Sequence, residues 1–224
     1  VTRRLFVKIC GITTVEDGLA AAEAGADAVG FVFWAGSPRC VTPGRARAIG
    51  SKLPPALVRV GVFVDATRAR LERTAADAGL DLLQLHGSEA PEALVDLPRP
   101  AWKALRVGDD FAPEAALRYE GRAAGLLFDG YPGAKPGGTG RPFDWRVAQR
   151  LRARLRFLIL AGGLTPENVA DAVRIAQPDG VDVSSGVERA PGRKDAGRMR
   201  AFVAAARQAQ ARAVEPASVR GNSA

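Results

Sequence analysis

The 224-residue chain has one histidine, two cysteines and one methionine, and only 6% of it is aromatic. Each shortage removes a class of function. Two thiols, Cys10 and Cys40, cannot build a disulfide framework, and a chain this long does not need one, so a reducing compartment, the cytoplasm, is expected. A lone histidine, His86, with cysteines at no ligand-like spacing offers no zinc set, and no metal is expected. No apolar run is long enough to span a bilayer. The opening Val-Thr-Arg-Arg lacks the apolar stretch and small-residue cleavage site of a secretory signal, so no membrane partner is expected either. A G-x-G-x-x-G fingerprint after the first apolar run is also missing, which disfavours an open dinucleotide-binding sheet.

Charge is the one excess. The formal net charge is +8, and arginine outnumbers lysine 27 to 5. The densest basic run, Arg146, Arg150, Arg152, Arg154 and Arg156, places Arg146, Arg150 and Arg154 on one helical face. No aromatic residues interleave it as a base-stacking platform requires, so it reads as a solvated helix surface and no nucleic-acid partner is expected. The positive balance suits attraction of a small anionic substrate.

Short apolar runs alternate with amphipathic segments along the chain. Strands are expected at Leu5–Cys10, Ala28–Phe33, Val58–Val64, Leu80–Leu85, Ala101–Val107, Gly125–Asp129, Phe157–Leu160 and Gly180–Val183. Helices are expected at Val15–Ala24, Pro43–Ser51, Arg68–Ala78, Glu89–Asp96, Pro113–Tyr119, Trp145–Arg154, Pro166–Ile175 and Ala196–Ala211. Thr42-Pro43 and Thr165-Pro166-Glu167 read as caps followed by a first-turn proline, Asp144 as a further cap, and Gly25 and Gly79 as left-handed stops. Eight such pairs predict an α/β fold with a single (β/α)8 TIM barrel over residues 1–208. Residues 209–224 read as a disordered tail.

In such a barrel the active site lies where the strands end. The residues there are Cys10, Arg39, Asp65, His86, Asp129, Gly162-Gly163 and Ser184-Ser185-Gly186. Gly162, Gly163, Ser184, Ser185 and Gly186 predict a phosphate site, because bare backbone N–H groups and hydroxyls can approach an anion closely after the last two strands. Cys10 and Asp129 are candidate base and acid, set against the plainer readings of a small buried hydrophobe and a turn former. Lys8 shares strand parity with Cys10, so an inward ammonium is expected to lower the thiol pKa. His86 reads equally as a proton-transfer group or as a partner for a backbone group at the strand end. Gly138, Thr139 and Gly140, within Gly137-Gly138-Thr139-Gly140, read as a mobile lid; no Lys-Ser/Thr follows, so it is not a nucleotide-binding P-loop.

These segments carry a resemblance. Lys8-Ile9-Cys10-Gly11-Ile12-Thr13, Ser37-Pro38-Arg39, Val62-Phe63-Val64-Asp65, Gln84-Leu85-His86-Gly87, Gly137-Gly138-Thr139-Gly140 with Phe143-Asp144-Trp145, Leu160-Ala161-Gly162-Gly163-Leu164 and Val181-Asp182-Val183-Ser184-Ser185-Gly186-Val187-Glu188 occur in order over about residues 5–205. The chain resembles phosphoribosylanthranilate isomerases of tryptophan biosynthesis. That resemblance implies an Amadori rearrangement of N-(5-phosphoribosyl)anthranilate, with no cofactor, by a monomer or homodimer. It implies Asp129 as general acid, Cys10 as general base, Arg39 as the partner of the anthranilate carboxylate, and His86 and Asp182 as substrate-binding residues lining the pocket. Cys40 stands where relatives often carry an aromatic residue, which alters the expected rim. The sister sugar isomerase of histidine biosynthesis uses an aspartate where this chain has Cys10, which argues against that reading.

Overall fold

The computed structural model describes residues 4–108, 110–130 and 143–214. Eight parallel strands close a barrel in chain order. They are β1 (Phe6–Cys10), β2 (Ala28–Val32), β3 (Val58–Phe63), β4 (Leu82–Leu85), β5 (Ala101–Val107), β6 (Gly125–Gly130), β7 (Leu158–Ala161) and β8 (Gly180–Val183). The first and last strands seal the ring, with Lys8 in register with Asp182. The expected (β/α)8 barrel is therefore what the chain forms.

Strand alternation divides the core in two. Outward residues such as Val7, Ile9, Phe31, Leu83 and Phe128 pack beneath the helices. Inward residues fill the barrel, where Phe6, Trp102 and Phe157 plug the lower end with ring centroids 5.6–6.1 Å apart. Above them lie Val60, Ala104, Leu127 and Ile159. At the upper mouth, where the strands end, the apolar layer thins to Cys10, Val32 and Val62.

The helices follow the expected order with instructive differences. Helices α1 (Val15–Glu23), α2 (Pro43–Gly50) and α3 (Arg68–Ala78) begin at Thr14, Thr42 and Thr67, whose hydroxyls accept from the backbone three residues on. Gly79 closes α3 in the left-handed conformation. The helix expected over Glu89–Asp96 is only a 3-10 turn at Pro91–Leu94. Glu89 cannot start it, because its carboxylate is drawn inward to Lys103 and to the N–H groups of Asp65 and Gly87. The next two are shorter than expected: α4 (Pro113–Ala116) and α5 (Arg146–Leu151) each end in a 3-10 turn. Asp144 accepts from the Arg146 N–H, but it sits one residue before the cap position, which Trp145 holds, so it is not the cap expected there. Helix α6 (Val169–Ala176) starts three residues beyond Pro166. Asn168 reaches back to the Thr165 N–H and the Gly163 carbonyl, holding residues 165–168 as a separate turn.

The final helix, α7 (Ala196–Val214), overruns the expected boundary. Met199, Phe202, Val203 and Ala206 form its buried stripe. Arg207 then donates to the Leu5 carbonyl at 2.8 Å, and the Gln210 side chain accepts from the Leu5 N–H at 2.6 Å. Residues 209–214 thus belong to the barrel and not to a tail, because Gln210 supplies an acceptor that the first strand lacks. Residues 215–224 lie outside the described residues. A short antiparallel ribbon, β9 (Glu188–Ala190) with β10 (Arg193–Lys194), sits between β8 and α7.

Gln210→Ala leaves the buried Leu5 N–H without its partner. A cost of about 1–3 kcal/mol is expected for an unmet buried donor, which at roughly 2–4 °C per kcal/mol for a domain this size lowers the thermal midpoint by several degrees. Thermal unfolding followed by circular dichroism measures it, and an unchanged midpoint restores the boundary at residue 208.

Candidate active site

The mouth of the barrel gathers side chains from most of its strands. Cys10 ends β1 and points inward, since a Cβ built on Gly30 of β2 falls 2.6 Å from its sulfur and 3.1 Å from Lys8 Cε. Lys8, fully buried one layer down, donates to both oxygens of Asp182 at 3.0 and 2.9 Å. Burial works against the Lys8 ammonium, but Asp182 and the Cys10 sulfur outweigh it and hold its pKa above the ordinary lysine value. The thiol behaves differently from the expectation. Burial pushes the Cys10 thiol up and Asp182 adds to that push; Lys8, the expected cause of a lowered value, opposes it without prevailing. The reason is the burial itself, which costs the thiolate more than the Lys8 charge returns, with Asp182 offsetting part of that charge. Asp182 thus sits beneath the pocket as Lys8's partner.

Asp129, near the end of β6, faces His86 beyond the end of β4. His86 Nε2 lies 2.9 Å from Asp129 Oδ2, and His86 Nδ1 lies 3.1 Å from Gln84 Nε2. Both ring nitrogens therefore meet side chains, so the reading of His86 as a partner for a backbone group is not what the structure shows. The loop beyond β4 is riveted from below. The buried Lys103 ammonium donates to the carbonyls of Leu85, Gly87 and Ala104 and to Glu89. Asp65 belongs to this rivet and not to the mouth: at φ 47° it accepts from the backbone and hydroxyl of Ser88.

Arg39 enters from the loop after β2 and lies across Gly11, where any Cβ would fall 2.5 Å from Arg39 Cδ. Its Nε and Nη2 donate to the two oxygens of Glu188 at 2.7 and 2.6 Å. Lys194 of β10 donates to Glu188 at 2.8 Å and to the Ser184 carbonyl at 3.1 Å. Burial alone would raise the Glu188 pKa, but the bonds from Arg39 and Lys194 hold it below the usual carboxylate range. Burial depresses Lys194 despite its partner. Cys40, next to Arg39, is exposed.

The last two strand ends meet closely. Gly162 has φ 77°, and a Cβ there would fall 2.2 Å from the Gly130 nitrogen, so no other residue fits. A Cβ on Gly186 would lie 1.9 Å from the Leu164 carbonyl oxygen. Gly163 follows Gly162 at φ 66°, and Ser185 and Gly186 open the 3-10 turn after β8, so the backbones of the two loops lie side by side. Ser184 is committed elsewhere, its hydroxyl donating to the Cys10 carbonyl at 3.1 Å. Gly138, Thr139 and Gly140 lie outside the described residues.

Sequence reading missed Gln84, Glu188 and Lys194. Parity with His86 could have found Gln84, and the burial of Glu188 and Lys194 has no local signal. It also passed over Arg106, which stands in cross-strand register with Asp129. No helix among the described residues is long and apolar enough to cross a membrane.

The comparisons with known proteins point to one family. The sequence profile described as N-(5'phosphoribosyl)anthranilate (PRA) isomerase matches residues 7–205. An N-(5'-phosphoribosyl)anthranilate isomerase of Pseudomonas putida is 52% identical over 205 residues, covering 90% of this chain and 97% of the relative. The crystal structure of phosphoribosyl anthranilate isomerase from Thermotoga maritima superposes with a TM-score of 0.86 at 42% identity, covering 91% of this chain and 99% of that one. A further isomerase structure, in complex with reduced 1-(o-carboxyphenylamino)-1-deoxyribulose 5-phosphate, gives a TM-score of 0.82 at 40% identity, covering 91% of this chain and 99% of that one.

The raised Cys10 pKa has a direct readout. In a Cys40→Ser background, alkylation of Cys10 by iodoacetamide is expected to be slow at neutral pH and to accelerate with a midpoint above the ordinary thiol value of about 8.5, because only the thiolate reacts. A midpoint at or below that value would show that Lys8, and not burial, dominates the thiol.

Proposed function

This chain belongs to the N-(5'-phosphoribosyl)anthranilate isomerase family, and from that premise we propose that Cys10 and Asp129 carry its reaction as general base and general acid. The enzyme converts N-(5-phosphoribosyl)anthranilate to 1-(2-carboxyphenylamino)-1-deoxyribulose 5-phosphate in tryptophan biosynthesis. The observation that supports the assignment is the placement of both groups at strand ends on one barrel mouth, each beside a built partner: Lys8 and Asp182 under Cys10, His86 against Asp129.

In the proposed sequence Asp129 donates its proton to the furanose ring oxygen as the C1–O bond breaks. The anthranilate nitrogen lone pair forms the C1=N bond of a cationic Schiff base. Cys10, as thiolate, takes the proton from C2, and those electrons move into a C1=C2 bond while the C=N pair returns to nitrogen. The enolamine then tautomerises to the ketone at C2. Cys10 gives up its thiol proton to solvent before it acts, the tautomerisation adds a proton at C1 and removes one from the C2 hydroxyl, and Asp129 regains a proton from solvent, so the isomerisation balances without a cofactor. The Schiff-base cation offsets the burial that disfavours the thiolate in the free protein, so the base is called up only after the acid has acted.

The phosphate suits the gap lined by Gly162, Gly163, Ser185 and Gly186, where backbone N–H groups can cradle an anion. Ser184 supports this site by tying it to β1, its hydroxyl donating to the Cys10 carbonyl and not to the phosphate. Arg39 takes the anthranilate carboxylate on its Nη1 side while Glu188 holds the opposite edge. A cytoplasmic location suits the two free thiols.

Fluorescence-monitored consumption of phosphoribosylanthranilate tests the reading. Cys10→Ala and Asp129→Asn are each expected to lose about 10²–10⁴-fold in kcat with the fold intact by circular dichroism. Arg39→Lys is expected to raise KM more than it lowers kcat. Near-wild-type turnover by Cys10→Ala would remove the cysteine from the mechanism.

A further inference from the structure

Gln84, His86 and Asp129 form a chain whose first two members have no part in the steps above. Gln84 lies on β4 two residues before His86, so both point into the barrel, and it is 1% exposed. Its Nε2 faces His86 Nδ1 at 3.1 Å, while its Oε1 is buried with no partner among the described residues. Leaving a buried carbonyl unmet is costly, and such an atom in a native site calls for a reason.

The donor and acceptor rules supply one. An amide nitrogen only donates, so in this orientation His86 Nδ1 must be bare. The ring proton then sits on Nε2 and is donated to Asp129, 2.9 Å away, as a carboxylate. That arrangement matches an acid that has already given up its proton. A half-turn of the amide brings Oε1 to Nδ1. An amide oxygen only accepts, so it favours a ring protonated at Nδ1, and Nε2 then shares a second proton with Asp129. The two amide orientations therefore correspond to site states that differ by one proton.

We propose that Gln84 and His86 are positioning residues that set the proton count of Asp129: the buried amide turns to match each state, and His86 Nε2 shares the proton that Asp129 delivers. The proposal rests on Asp129 being the general acid. Other charged groups lie around His86. Lys103 lies beneath the loop and is matched by Glu89, and Asp65 on the opposite flank is matched by Ser88. Arg106 of β5 stands in register with Asp129, and Cys10 and the Lys8–Asp182 pair occupy β1 and β8.

His86 is the single histidine of the chain, so ¹⁵N-histidine labelling reports one imidazole without assignment. In the wild type, Nδ1 is expected to lose its proton over the same pH range in which kcat/KM falls on the alkaline side. Gln84→Met removes the acceptor at similar size. It is expected to move that alkaline limb to lower pH by about one unit, a roughly tenfold loss at a fixed alkaline pH. Gln84→Glu, whose carboxylate accepts from Nδ1–H more strongly, is expected to move it to higher pH. Shifts of opposite sign have no origin in packing alone. A limb that stays in place, or that moves the same way in both variants, overturns the proposal. If either variant fails to fold, the wild-type titration decides, and an Nδ1 that never carries a proton across the limb overturns it. Asp129→Asn separates the two levels. Wild-type turnover there removes the acid itself, whereas abolished turnover with an unmoved limb in the Gln84 variants removes only the amide device.

Discussion

Inside a closed barrel every second residue of each strand is cut off from water, and charge survives there only when it is paired. The Lys8–Asp182 bond meets that condition at the seam where β1 joins β8. It spans the junction that closes the ring, fills the layer under the mouth and fixes the floor on which Cys10 stands. Buried charge is paired in the same way outside the barrel lumen, at Lys103 with Glu89 behind β5 and at Lys194 with Glu188 in the β9–β10 ribbon. In each case a buried lysine ties a strand end or loop that carries a group of the mouth. The site is thus held by buried ion pairs, one inside the barrel and two behind the strand ends, while the apolar core lies mostly outside the strands.

This arrangement explains why the thiol did not behave as its neighbour suggested. A lysine two residues away on the same face was legible from alternation alone. Its effect was not, because the outcome depends first on how deeply the thiol is buried in the closed barrel and then on Asp182, which lies 174 residues beyond Lys8. The strands, the threonine caps of α2 and the strand-end residues were legible for the opposite reason. Period-two apolar runs, a hydroxyl before a first-turn residue and a carboxylate closing a run are all local signals.

The misreadings share one cause. Glu89 looked like the start of a helix and Gln210 like part of a tail, because their sequence neighbourhoods favour those states. Each instead serves a group remote in sequence or in strand order: Glu89 neutralises Lys103, and Gln210 completes the backbone of Leu5. Gln84 is a middle case, since parity with His86 places it inward but nothing local indicates that its carbonyl is left unmet. Polar residues inside strands were the least informative positions in the sequence and proved to carry the site's electrostatics.

The clamp of α7 on Leu5 joins residues 205 positions apart, and this bears on how the chain can assemble. Within the barrel, β1 is made before its partners and carries a lysine, a thiol and an unmet backbone donor. Those partners, on β8 and α7, are the last elements of the barrel to be made. Half-barrels formed earlier therefore present an open strand edge and a lone inward charge until β8 and α7 follow. Such non-local closure slows folding and leaves the nascent protein prone to aggregate. A helix late in the barrel that grips both backbone groups of Leu5 works as a latch: it engages only when all eight strands precede it, and so makes the last element of the barrel the one that commits it to its closed form.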